Sequence, residues 1–198
     1  MMNINYHALE ESAGRFVTRL YTTDLRVEFP YHNLRHTVAV VEHVKEIAAF
    51  YKLGDHENCM LILAAWFHDT GQLSGDCQGH EQRSVVILHN YLSSAGLPGD
   101  IILAAEVCVM ATKGETLPVT LSEKIICDAD TYHFGTALFR QTEFLVQKEM
   151  EMRTGQQFPK WHQGSLQLLQ NHVFYTAYCQ LKLNAGKKEN IRWLESLV

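Results

Sequence analysis

Apolar residues recur at spacings of three and four along most of the chain, a pattern typical of amphipathic α-helices. The clearest example begins near Asn33, a suitable N-cap residue, and stops at Gly54. Its apolar stripe contains Val40, Val41, Val44, Ile47, Ala48 and Tyr51. Only four prolines interrupt the chain, and the alternation typical of strands is rare. The pattern therefore predicts an all-α fold.

Glycines, prolines and capping residues divide the chain into about eight or nine helices. The predicted helices cover about Asn5–Tyr21, Asn33 to the stop at Gly54, Asp55–Asp69, His80–Ala95, Asp100–Lys113, Ser122–Gly135, Thr136–Arg153, Gly164–Ala185 and Lys188–Leu197. We find no internal repeat, low-complexity tract or linker that would separate domains. The 198 residues are enough for one sizeable core. We therefore expect a single-domain helical bundle over residues 1–198.

A histidine and an aspartate, His68 and Asp69, directly follow the apolar run Leu61–Phe67. Burying an imidazole or a carboxylate without a partner is costly, so something must compensate for them. His36 shares the apolar stripe of the second predicted helix, and Asp130 ends an apolar stretch of the sixth. Polar groups that face inward from three helices could converge on one metal ion.

Imidazole nitrogens and carboxylate oxygens suit Zn, Mn, Fe, Ni or Co, and carboxylates also accept harder ions such as Mg. Two histidines and two aspartates would leave coordination positions free for water and a substrate oxygen. On the residues alone, Asp128 and Asp130 are both candidates for the second carboxylate. The same side chains could instead form a buried hydrogen-bonded cluster without a metal.

Composition narrows the classes of function. The net charge of −5 argues against a nucleic-acid-binding protein, which would carry an excess of Lys and Arg. No apolar stretch approaches the roughly 20 residues that span a bilayer, so we expect no membrane contact. The five cysteines are scattered and never spaced as CxxC, which favours reduced thiols in a cytoplasmic protein. The oligomeric state is left open.

Three motifs together resemble a known signature: Tyr31–His36 (YHNxxH), Ala65–Asp69 (AWFHD) and Cys127–Asp130 (CDAD). They resemble the H…HD…D pattern of the HD-domain superfamily of metal-dependent phosphohydrolases, and most closely a bacterial subgroup of predicted HD phosphohydrolases. YHNxxH also occurs in cyclic-nucleotide phosphodiesterases. The resemblance implies a helical bundle of the HD-domain and phosphodiesterase type. Its metal-site core would lie at about 31–135, and helices at about 136–198 would complete the bundle.

The resemblance also implies roles for individual residues. The metal ligands would be His36, His68, Asp69 and Asp130, since the family pattern favours Asp130 over Asp128. His32 matches the histidine that protonates the leaving oxygen in the phosphodiesterases, and Glu81 matches a position near the metal-bound water. Dinuclear members carry a His-His pair that this chain lacks, although His80 could ligate a second ion. One divalent ion (Mn, Fe, Ni, Co, Zn or Mg) is therefore favoured, and a second is left open.

The function implied is that of a metal-dependent phosphohydrolase. It would cleave a phosphomonoester or phosphodiester of a small-molecule phosphate substrate, a nucleotide above all, with a metal-activated water. Asn33, at a helix N-terminus, and Lys113 are expected to bind the substrate phosphate. The alternative is a non-catalytic nucleotide-binding or regulatory module with a structural metal. A structural metal needs neither His32 nor Glu81, so their presence favours the enzyme.

Each of these residues also has a simpler interpretation. His32 could cap the helix or only position the substrate. A first-turn glutamate such as Glu81 is stabilised by the helix dipole without any catalytic role, and a lysine near a helix C-terminus such as Lys113 is stabilised in the same way.

Overall fold

The structure, a computed structural model, describes residues 5–23, 29–74, 77–115 and 117–198. These residues form α-helices and short 3₁₀ turns and contain no β-strand, which confirms the prediction of an all-α bundle. The α-helices of the described residues are α1 (Tyr6–Thr23), α2 (Leu34–Tyr51), α3 (Asp55–Phe67), α4 (His80–Ser94), α5 (Gly99–Ala111), α6 (Leu121–Asp130), α7 (Phe139–Thr154), α8 (Trp161–Asn171) and α9 (Ala177–Glu195). Two 3₁₀ turns lie at Thr70–Leu73 and Tyr132–Gly135.

Helix α3 lies at the centre of the core. It packs against α1, α2 and α5, and it also contacts α4 and α6. A helix that is surrounded by other helices must be apolar on every side, which explains why the run Leu61–Phe67 shows no polar stripe. The helix ends at Phe67, two residues before the predicted end, and His68 and Asp69 follow inside the core with exposed fractions of only 1% and 3%.

Helix α2 begins where the sequence predicts, because Asn33 caps it. The Asn33 side-chain oxygen accepts the backbone N–H groups of Arg35 at 2.9 Å and His36 at 3.3 Å. The helix buries Val40 and Val44 and packs on α3 and α6. Its first turn therefore places His36 beside the end of α3.

The predicted helix Gly164–Ala185 is wrong, because residues 172–175 between α8 and α9 are not helical. The Asp128 carboxylate stabilises this non-helical segment. It accepts the backbone N–H groups of Tyr175 at 2.8 Å and Thr176 at 2.7 Å, and the Thr176 hydroxyl at 2.6 Å. The Thr176 hydroxyl oxygen also caps α9. A tertiary partner that lies 47 residues away from Tyr175 thus ends one helix and starts the next.

The predicted last helix, Lys188–Leu197, is the second half of α9 and not a separate element. Helix α9 continues through Gly186, which lies against the 3₁₀ turn Tyr132–Gly135. A Cβ atom on Gly186 would collide with the carbonyl oxygen of Gly135. Glycine is needed here for close packing and does not mark a helix end.

In the part of the chain that the structure describes, every helix is either too short or too polar to cross a bilayer.

Candidate metal centre

The side chains of His36, His68, Asp69 and Asp130 converge where the first turn of α2, the end of α3 and the end of α6 meet. His36 Nε2 lies 3.4 Å from Asp69 Oδ2 and 3.1 Å from Asp130 Oδ1. His68 Nε2 lies 3.3 Å from Asp69 Oδ2 and 3.5 Å from Asp130 Oδ1. The two Nε2 atoms are 3.4 Å apart. We call these four residues the H/D cluster.

The spacing of His36, His68 and Asp130 fits one cation. Two donor atoms that each lie about 2.1 Å from an ion, at angles between about 90° and 110°, are about 3.0–3.4 Å apart. His36, His68 and Asp130 have ligand atoms that all lie within 4.8 Å of one another, and Asp69 Oδ2 is in contact with both imidazoles. Two imidazoles and two carboxylates are a donor set that suits first-row divalent ions.

Asp69 also carries an oxygen that lacks a partner. Its Oδ2 atom is buried and accepts no well-formed hydrogen bond from the described residues. An unpaired carboxylate oxygen in the interior is strongly destabilising. A cation held between the four donors would supply the missing partner.

The His68 ring is oriented by the backbone behind it. Its Nδ1 atom donates to the carbonyl oxygen of Ala65 at 2.8 Å. This hydrogen bond turns Nε2 toward the H/D cluster and leaves its lone pair available, as a metal ligand requires.

Charge within the cluster favours cations. Burial lowers the pKa of His36 and His68, but the neighbouring Asp69 and Asp130 carboxylates outweigh it, so that both histidine pKa values are raised. The histidines in turn hold the pKa values of Asp69 and Asp130 well below the usual range, although burial opposes this. Protons and a metal ion therefore compete for the same centre.

His32 lies beside the cluster, with its ring centroid 5.9 Å from that of His36. Its Nδ1 atom donates to Glu149 Oε1 at 2.7 Å. Glu149 Oε2 accepts the backbone N–H groups of Tyr31 and His32, both at 2.9 Å. Sequence reasoning missed Glu149. Its one local signal is Arg153 four residues later, which resembles an ordinary surface pair, whereas the carboxylate is buried.

His80 contacts the carboxylate oxygen of Asp69 that His36 and His68 do not, and Glu81 lies beside His80. His80 Nδ1 donates to the carbonyl oxygen of Cys77 at 2.8 Å, and His80 Nε2 lies 3.3 Å from Asp69 Oδ1. Glu81 Oε1 is 3.6 Å from His80 Nε2, and Glu81 Oε2 is buried without a hydrogen-bond partner among the described residues. Among the described residues, the grouping that could hold a metal ion is that of His36, His68 and Asp130, and a second ion stays open.

A protein-family model described as HD domain matches residues 33–135, just over half of the chain. The chain belongs to the HD-domain family. This confirms the resemblance read from the three motifs. HD domains are a superfamily of phosphohydrolase type and bind divalent metal ions. No curated protein sequence matches the chain.

Two solved structures share the HD fold of this chain. One is described as a predicted HD superfamily hydrolase from an uncultured Thermotogales bacterium, with 16% identity, a TM-score of 0.65, and coverage of 94% of this chain and 90% of that one. The other is the Lin1889 protein from Listeria innocua, with 16% identity, a TM-score of 0.68, and coverage of 98% and 96%. At this level of identity the likeness shows the fold alone.

The two substrate-binding residues predicted for this HD domain lie in different settings. The Asn33 side chain is occupied by the α2 cap and by donation to the carbonyl oxygens of Phe29 and Pro30. The Lys113 ammonium is 2.7 Å from Glu115, whose hydrogen bond raises the lysine pKa, and the charge of Glu81 contributes to that rise. Neither side chain hydrogen-bonds to a side chain of the H/D cluster, and both roles stay predictions.

The fold also separates the two acids of the CDAD motif. Asp130 faces His36 and His68, whereas Asp128 turns the other way and binds the backbone between α8 and α9. The structure therefore brings Asp130, and not Asp128, into the H/D cluster of the HD domain.

A cavity of about 330 Å³ opens beside His32 and Asp130, between α7 and α8. Its apolar lining consists of Phe134, Phe139, Val146, Trp161, Leu168 and Leu169. Glu143 adds a buried carboxylate to the wall. We call this space the α7–α8 cavity. The walls that α7 and α8 contribute lie outside the region that the sequence motifs cover, and no pattern in the sequence predicts them.

Proposed function

We propose that this HD domain is a metal-dependent phosphohydrolase that cleaves a phosphomonoester or phosphodiester bond of a nucleotide or another small phosphate compound. The observation that carries the proposal is the pairing of the H/D cluster with His32, a histidine that Glu149 orients beside it. A site that only held a structural metal would need the cluster but no oriented proton donor.

His36, His68, Asp69 and Asp130 would hold the cation. When bound, a divalent ion polarises a phosphoryl oxygen and lowers the pKa of water. The remaining steps belong to side chains that the structure describes.

His32 is suited to give a proton to the leaving oxygen. Because Nδ1 donates to Glu149, the tautomer and the direction of the ring are fixed, and Nε2 is left to act on the substrate. Burial raises the pKa of Glu149, but its hydrogen bonds from His32 and Tyr31 bring it down to about 2. Glu149 is therefore charged at neutral pH and accepts the hydrogen bond that orients the His32 ring.

Glu81 is suited to orient the attacking water. Its Oε2 atom is buried, has no hydrogen-bond partner among the described residues, and lies in the first turn of α4 close to Asp69 and His80. A water molecule placed between Glu81 and the phosphorus would satisfy this oxygen and could pass its proton to it.

The test is hydrolysis by purified protein that has been stripped of metal and reloaded with Mn, Ni, Co, Zn or Mg, against a panel of nucleotides and generic phosphoesters. We expect hydrolysis with at least one ion, and none after chelation. His32→Ala should slow turnover about 10²–10⁴-fold, the usual loss for a general acid, while metal content is unchanged.

His89→Ala is the matched control, because His89 is an exposed histidine that pairs with Glu106, away from the H/D cluster. It should retain wild-type turnover. If every metal-loaded form binds its ion but hydrolyses nothing in the panel, the protein is a binding module and the proposal fails.

A further inference from the structure

The α7–α8 cavity lies next to the proposed proton donor. His32 and Asp130 both line it, and its volume of about 330 Å³ is at the lower end of the range for small-molecule sites. The inference that follows rests on the proposed function. If His32 protonates the leaving oxygen, the group attached to that oxygen must extend past His32, and His32 borders this cavity.

The walls of the cavity favour a planar group. Phe134, Phe139 and Trp161 supply aromatic surface from three different elements, and Leu168 and Leu169 supply aliphatic surface from α8. Aromatic side chains pack well on flat rings through stacked or edge-on contacts. Stacking of nucleobases on such side chains is a common mode of recognition.

Glu143 gives the wall of the cavity a hydrogen-bond acceptor. The side chain is only 3% exposed, and its Oε1 atom accepts a hydrogen bond from His162 Nδ1 at 2.8 Å. The other carboxylate oxygen accepts no hydrogen bond from the described residues, and Glu143 lines the cavity. That oxygen is the acceptor that the side chain has left to offer a ligand there. A carboxylate only accepts hydrogen bonds, so the matching ligand must carry a donor.

We propose that the α7–α8 cavity binds the leaving group of the substrate, and that Glu143 selects a planar heterocycle with an exocyclic amino group, such as an amino-bearing nucleobase.

The experiment compares adenosine 5′-monophosphate with purine riboside 5′-monophosphate, which differ by the exocyclic amino group. Binding is measured by calorimetry on metal-loaded protein that carries His32→Ala, so that turnover does not interfere. We expect the amino-bearing ligand to bind roughly 10- to 100-fold more tightly, the range for a hydrogen bond to a charged group. Glu143→Gln should reduce that ratio to about its square root, about 3- to 10-fold, because a neutral acceptor contributes about half as much as a charged one.

Glu151→Gln is the matched control. It makes the same change on the same helix, but Glu151 hydrogen-bonds to Gln147 and lies outside the cavity lining. It should leave the ratio unchanged. Gly164→Leu is a second variant that does not alter the carboxylate. Gly164 lines the cavity and has open space around its Cβ position, so a leucine there should weaken both ligands about equally.

An affinity ratio near one in the His32→Ala protein, or a ratio that Glu143→Gln leaves unchanged, overturns the inference.

Hydrolysis of 4-nitrophenyl phosphate by the metal-loaded wild type separates the two proposals. If this generic ester is cleaved while the ratio is one, the phosphohydrolase stands and the role of the cavity falls. If the ratio is as expected but no ester is cleaved, the cavity binds the heterocycle and the proposed function falls.

Discussion

At the scale of single residues, the H/D cluster depends on how two consecutive side chains come to face the same point. Neighbours within a helix point in directions about 100° apart. His68 keeps helical dihedral angles, but Asp69 has φ −107° and ψ 4°, outside the helix. This change of direction lets Asp69 Oδ2 contact His36 and His68 while Asp69 Oδ1 faces His80. The end of α3 is therefore part of the site.

The two acids of the CDAD motif provide a direct test of the cluster. Asp130→Asn should lower metal affinity by more than about 100-fold, because the charge of a ligand is lost. Even the loss of a residue that only hydrogen-bonds to a metal ligand lowers metal affinity by about 10–100-fold. Metal content after dialysis, measured by mass spectrometry, reports the effect. Asp128→Asn is the control. It should retain the metal and lose about 1–3 kcal/mol of stability, because Asp128 accepts three hydrogen bonds at the break before α9. Loss of metal from the Asp128 variant alone would contradict the assignment.

The residues of the cluster could be predicted because each one breaks a local rule: a polar side chain stands where the helix pattern demands an apolar one. Glu149 breaks no such rule. It lies 117 residues away from His32 and is surrounded in sequence by other charged residues. The contact between Glu149 and His32 forms only in the folded protein, so the sequence alone could not reveal it. The choice between Asp128 and Asp130 was open on the residues alone; the family pattern favours Asp130, and the fold brings Asp130 to His36.

At the scale of helices, the first six predicted elements agree with the structure to within a few residues, except that α6 ends at Asp130 and gives way to a 3₁₀ turn. Their limits are set by local signals such as the Asn33 cap and the capping box at Thr120 and Glu123. The break before α9 has no local signal, since the apolar spacing continues through Phe174, and it is held by Asp128 from another helix. Gly186 misled the prediction in the opposite way: a glycine is a local signal for a helix end, but α9 continues through it.

The close packing of α9 can be tested with two glycine substitutions. Alanine normally stabilises a helix interior by about 0.5–1 kcal/mol relative to glycine. Gly186→Ala should nevertheless lower the free energy of unfolding by about 1–3 kcal/mol, because its Cβ atom would collide with Gly135. The Cβ atom added by Gly164→Ala in α8 would have no neighbour within 4 Å, so this variant should gain the usual stabilisation of alanine over glycine in a helix. Urea unfolding measures both. Equal gains for the two variants would show that α9 does not pack as described.

At the scale of the whole molecule, the HD-domain match ends at residue 135, but the site does not. Helix α7 supplies Glu149, and α7 and α8 enclose the cavity next to His32. Helix α9 is tied to α2 through Glu46, which accepts hydrogen bonds from Tyr178 at 2.6 Å and from Lys182 at 2.8 Å. The segment after residue 135 thus completes the bundle and a large part of the candidate site.

His172, at the break between α8 and α9, should make this assembly sensitive to acid. Burial, helped by the charge of Lys187, lowers the pKa of His172 to about 4, whereas an unfolded histidine titrates near 6.5. Because the folded pKa is the lower one, the stabilising effect is complete above about pH 6.5. It is lost as the pH falls toward 4, where the unfolded chain binds a proton that the folded chain resists.

The free energy of unfolding should therefore fall less between pH 6.5 and 4.5 in His172→Gln than in the wild type, by on the order of 1–2 kcal/mol. This is less than the full pKa difference would give, because the side chain is partly exposed. The variant and the wild type are compared by urea unfolding with chelator present, so that metal release contributes to neither. His56→Gln, which replaces an exposed histidine at the start of α3, is the control and should follow the wild type. Parallel pH curves for the wild type and the His172 variant would mean that this histidine is as free to ionise in the folded protein as in the unfolded chain. The packing of α8 and α9 around it would then be looser than the structure describes.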